Sequence, residues 1–240
     1  MASIYSMNSY SLDDYYGTTR IVKEEDKSFS GRLVRYFSSL QFAFYCMTHP
    51  LDGFWDLVRE KRGTYAAANT ILIFTIVVRL MKLRYTSFLF QKVYWEEINI
   101  FLYISSILFP LALWVVGNWA LTTLFDGKGR LGDVYMATCY ALLPYPLIQL
   151  PVTIASNFVT LEEGQFISVL GVVALVYCGL LIVAGLGQIH DFSAGKNILF
   201  TVASLFAMLV IVFILMIFFS MISQGVAYFI SIGKELMFRM

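Results

Sequence analysis

Charge is scarce in this chain. Asp, Glu, Lys and Arg make up 14% of its 240 residues and hydrophobic types 59%, whereas soluble domains carry roughly 25% charged residues. Water is therefore not the main solvent, which excludes an ordinary soluble domain. Cysteine is rarer still: Cys46, Cys139 and Cys178 lie far apart in apolar or amphipathic stretches, so no disulfide framework or CxxC chemistry is expected and all three read as buried thiols. His49 and His190 are the only histidines, and their separation gives no metal-ligand spacing. The formal net charge is +1 with basic residues scattered along the chain, which leaves no basic stripe for nucleic acid. Residues 1–30 contain no apolar core of the secretory type, so they are expected to form a flexible cytoplasmic tail.

The apolar residues are gathered into long blocks. Runs of 18 or more with few charges mark membrane-spanning helices, and five are predicted: Tyr65 to Met81, Ile98 to Leu124, Gly132 to Ala155, Phe166 to Ile189 and Asn197 to Ile222. The expected fold is all-α, an integral membrane bundle of five transmembrane helices preceded by one or two amphipathic interfacial helices. The corresponding organisation is a tail over 1–30, interfacial helices over 31–63, the five-span domain over 64–224 and a short tail over 225–240.

Within 31–63, Leu33, Phe37, Leu40 and Phe44 recur at helical spacing, as do Leu51, Phe54, Trp55 and Val58. Each set predicts an apolar stripe, the second behind Pro50, which suits a first helical turn. Trp55 belongs to this stripe and is a candidate partner-binding residue. Basic residues near the span ends number eleven on the N-terminal side of the membrane and five on the other. That asymmetry predicts a cytoplasmic N-terminus and an outer C-terminus, although Lys82 and Arg84 at the far end of the first span run against it.

Motifs for chemistry are few. "DGKGR" and "AGKN" contain Gly-Lys beside a helix start, but Arg130 and Asn197 stand where a phosphate loop needs Ser or Thr. No nucleotide, metal, cofactor or catalytic set is expected, and the chain reads as a non-enzyme. Asn118, Thr138, Gln149 and Arg79 are the polar residues expected inside spans, where each needs a partner. Prolines gather in the third span at Pro144, Pro146 and Pro151, predicting a kinked, buried helix. The second loop (Asp126, Lys128, Arg130, Asp133) and the fourth (His190, Asp191, Lys196) should meet at one membrane face, as a surface for a partner or as a self-paired set capping helix ends. Gly171, Ala174, Gly179, Ala184, Gly185 and Gly187 give the fourth span a close-packing surface.

Three stretches carry a resemblance: "HPLDGFWDLVREKRG" before the first span, "DGKGRLGDVYMATCYALLP" entering the third, and "HDFSAGKNI" between the fourth and fifth. Together they resemble the Yip1-domain family over about Thr48 to Phe219. The resemblance implies five spans, a cytoplasmic N-terminus and no catalytic residue. The lead-in is similar to the bacterial branch, whose members are often encoded beside ABC transporter components, sugar importers included. Eukaryotic members traffic through endoplasmic reticulum and Golgi and engage Rab GTPases.

The resulting expectation is a non-enzymatic accessory or scaffold subunit, in hetero-oligomer with permease subunits of an ABC-type transporter in the plasma membrane. A small transporter or channel, a Rab-type trafficking factor of ER and Golgi membranes, and an unrecognised membrane enzyme are the alternatives. A polar tunnel would favour transport, and exposed apolar ridges at lipid depth a subunit.

Overall fold

The computed structural model describes residues 29–90, 98–125, 127–160 and 162–239. Among them there are eight helices and no strand: α1 (Phe29–Thr48), α2 (Pro50–Arg59), α3 (Tyr65–Tyr85), α4 (Ile100–Leu124), α5 (Leu131–Ala141), α6 (Pro144–Ala155), α7 (Gly164–His190) and α8 (Ala194–Arg239). The chain divides into two units, residues 1–35 and 36–240. In the first, the described part is the opening of α1. All that follows concerns the second.

Five stretches are long and apolar enough to cross a bilayer: Tyr65–Tyr85, Ile100–Leu124, Leu131–Ala155, Gly164–His190 and Ala194–Glu235. The protein is thus a helical membrane bundle. Local chemistry sets the helix starts. The Thr64 hydroxyl accepts from the Ala67 N–H (3.3 Å) at the head of α3, and Asn99 Oδ1 accepts from Phe101 N–H (3.0 Å) and Leu102 N–H (3.3 Å) at the head of α4. These side chains satisfy first-turn donors that have no partner within the helix. Inside the spans Thr75, Thr122, Thr138, Thr153 and Ser204 return their hydroxyls to the carbonyl four residues back, so none is stranded in hydrocarbon.

The third span is two helices rather than one kinked rod. It stops at Ala141 and restarts at Pro144, because a proline fits a first turn, where its missing N–H is not needed. Pro146 follows in that turn and Pro151 lies inside α6. A proline alone does not end a helix here, since Pro110 stands within the continuous α4. As expected, the third span lies deepest: Val134, Cys139, Tyr140 and Ala141 are essentially inaccessible. The helix of the fifth span, α8, runs well past Ile222, and its 46 residues correspond to about 69 Å at 1.5 Å per residue, more than twice a bilayer core.

The stripes of α1 and α2 are rotated from expectation. Phe37 and Phe44 are exposed and Leu40 half-buried, while Ser39, Phe42, Ala43 and Cys46 face inward. On α2, Phe54 and Leu57 are fully buried, but Leu51 and Trp55 are 59% and 41% exposed. The cause is close approach. A Cβ on Gly53 would lie 2.7 Å from the Cys46 backbone, so α2 turns its Gly53 face onto α1 and carries Trp55 outward.

Candidate functional site

The junction of α2, the α4–α5 loop and the α7–α8 turn gathers most of the expected site residues at one membrane end. Its foundation is buried. The Gly129 N–H donates to His190 Nδ1 (3.3 Å), and His190 Nε2 meets Asn118 Oδ1 (3.3 Å). Asn118 Nδ2 donates to the Ser204 hydroxyl (2.9 Å), which donates to the Phe200 carbonyl (2.7 Å). An N–H pointing at Nδ1 makes that nitrogen the acceptor, so the proton sits on Nε2 and the ring is neutral. One line of bonds thus ties α4, the following loop, α7 and α8. Phe192 stacks between His190 (5.3 Å) and Phe200 (4.8 Å).

The glycines of "DGKG" are explained by this histidine. A Cβ on Gly129 would stand 2.4 Å from Ile189 Cγ2 and 2.7 Å from His190 Cε1, and one on Gly127 2.8 Å from the Thr122 carbonyl and 2.9 Å from His190 Nδ1. The loop closes over His190 only because both side chains are missing. The next residue ends α7: Asp191 takes a left-handed φ of 54°, a conformation Asp tolerates better than most residues.

Above the buried line lies an ion cluster. Asp191 Oδ2 accepts from Arg59 Nη2 and from Lys128 Nζ at 2.9 Å. Those two bonds hold the Asp191 carboxyl below its ordinary range. Arg59 also sits 5.8 Å over the Trp55 ring, so α2 joins the loops through one side chain. Lys196 Nζ lies 5.5 Å from the Phe192 ring. Asp133 Oδ2 accepts from the Arg130 N–H (3.2 Å) and caps α5, while the Arg130 side chain is exposed. His190 is 2% exposed and presents nothing to the surface. Asp126 lies outside the described residues.

Arg59 is a member that the sequence pattern did not single out; it sits three residues after Asp56, ahead of the "EKRG" turn. A second buried set also went unread. The Ser39 and Tyr140 hydroxyls are 2.6 Å apart, the Thr64 hydroxyl donates to Ser39 Oγ (3.1 Å), and together they join α1, α3 and α5. The small residues of α7 are mostly consumed within the bundle: Gly185 lies against Phe54 and Gly187 against Asn197, while Gly179 faces open space.

Among the described residues no group of three His, Cys, Asp or Glu side chains could hold a metal. The three cysteines are free and buried, and burial pushes the Cys46 thiol up to about 12, far from a reactive thiolate at neutral pH. The arrangement is suited to holding two exposed side chains, Trp55 and Lys196, and the Arg59–Asp191–Lys128 cluster in fixed positions at the membrane edge.

The Yip1 domain family model matches residues 44–218. No curated protein and no solved structure matches the chain.

Proposed function

Because the chain belongs to the Yip1 domain family, we propose that it works as a non-enzymatic accessory or scaffold subunit of a membrane complex, with the permease subunits of an ABC-type transporter as its partner. The observation that carries this reading is the rigid polar edge. Trp55, Lys128, Arg130 and Lys196 are exposed on it; the His190–Asn118–Ser204 line ties together the helices beside the turns that bear the three cations, and Arg59 ties α2, which bears Trp55, to Asp191. Aromatic and basic side chains held in place lose little entropy on docking, and Trp and Arg are the residues that most often anchor interfaces. Exposed apolar ridges on α4, α7 and α8 supply surface at lipid depth for helix–helix association. The N-terminal side, with its excess of Lys and Arg, faces the cytoplasm in this reading.

The test is purification from native membranes in a gentle detergent through a C-terminal tag, followed by mass spectrometry. Permease subunits should accompany the wild type, and the Arg130→Glu, Lys196→Glu double variant should recover less of them at unchanged melting temperature. A lone monomer or homodimer, together with unchanged transport after gene deletion, overturns the proposal.

A further inference from the structure

At the opposite membrane end, the last turns of α3 and α6 enclose a cleft of about 850 Å³, within the ~300–1,000 Å³ range of small-molecule sites. Its walls are apolar, with Val78, Met81, Leu150, Ile154 and Phe158, and Arg84 stands in its lining; among the described residues no carboxylate lines it. The rim is prebuilt. The Ser87 N–H donates to Ser156 Oγ (3.2 Å), and Asn157 Nδ2 donates to the Tyr85 carbonyl (3.0 Å). Arg84 is exposed and has no carboxylate partner among the described residues.

Depth decides what can occupy this cleft. The 21 residues of α3 span about 31 Å, one bilayer core, and Tyr65 at its start packs by Gly132 at the edge that holds His190. Arg84 therefore lies at the headgroup level of the other leaflet, with Val78 and the α6 wall in the hydrocarbon below it. An occupant must be apolar along its length and negative at its head. We infer that the cleft is a binding site for an anionic glycerophospholipid, whose acyl chain lies between α3 and α6 and whose phosphate meets the Arg84 guanidinium, a fork that matches phosphate oxygens in pairs. This also accounts for Arg84 standing where the basic asymmetry expects few such residues: it faces a bound phosphate instead of setting orientation.

The experiment uses the full chain in nanodiscs of equal phosphatidylglycerol and phosphatidylcholine, with the lipids retained on detergent release counted by native mass spectrometry. Wild type should retain phosphatidylglycerol over phosphatidylcholine by about fivefold, the effect of one basic side chain at an anionic surface. Arg84→Ala, and independently Arg84→Gln, should abolish that preference without moving the melting temperature. Ile154→Trp, which fills the cleft, should reduce retention of both lipids. Equal retention of the two lipids by wild type, or an undiminished preference in both Arg84 variants, overturns the inference. So does competition by glycerol 3-phosphate, which would make the site one for a soluble phosphate.

Discussion

At the scale of single residues, the loop over His190 makes a sharp demand on sequence. Gly129→Ala forces a Cβ to 2.4 Å from Ile189 Cγ2 and into the histidine ring, so it should destabilise by about 1–3 kcal/mol, the usual cost of overpacking. Gly179→Ala on α7 meets nothing within 4 Å and should be neutral or stabilising by up to ~1 kcal/mol. Thermal melts in detergent distinguish the two. Asp191 gives a pH prediction with a definite sign. Arg59 and Lys128 hold its folded-state carboxyl below the ordinary 3.8, so the folded protein binds this proton less readily than the unfolded chain. Its contribution is fully present above 3.8 and disappears as pH falls through the lower folded value. The stability gap between wild type and Asp191→Asn should therefore be flat near neutrality and close below about pH 4. A gap that widens on acidification contradicts the assignment. Asn118 and Gln149 were legible as polar residues inside spans, but their fates were not. Asn118 finds His190 and Ser204, while Gln149 Oε1 has no partner among the described residues, a difference that depends on which helices become neighbours.

At the scale of helices, hydropathy carried the spans well because a bilayer imposes nearly one length on every crossing. The prolines of the third span were legible as a disruption, but as a kink; the structure makes it a break, with Pro144 opening a new first turn. The rotation of α1 and α2 was not. Both faces of such a helix are apolar, one for the bundle and one for the membrane interface, and periodicity alone cannot say which is which. The burial pattern makes a contrast testable. Phe54→Ala empties a site that is 0% exposed and should cost about 3–5 kcal/mol. Trp55→Ala, on the outward face, should cost less than about 0.5 kcal/mol, yet it should weaken capture of permease subunits if the edge docks them. Equal losses of melting temperature in the two variants would mean that Trp55 is structural.

Across the whole molecule, an odd count of five crossings predicts termini on opposite sides of the membrane. Cysteine-accessibility labelling at an added N-terminal and an added C-terminal site should report opposite sides, with the N-terminal site cytoplasmic, and labelling of both from one side rejects the count. The bond line through His190 has a consequence for how the protein is made. Asn118 meets His190 72 residues later and Ser204 86 residues later. At about 5–20 residues per second, a ribosome delivers Ser204 roughly 4–17 s after Asn118. During that wait α4 carries an unsatisfied carboxamide that hydrocarbon does not tolerate, and the insertion machinery must shelter it. Nascent chains stalled short of Ser204 should crosslink from position 118 to the translocon or its insertase, and chains stalled after α8 has emerged should not. Release of α4 into the lipid is thus expected to wait for α8, which carries Ser204.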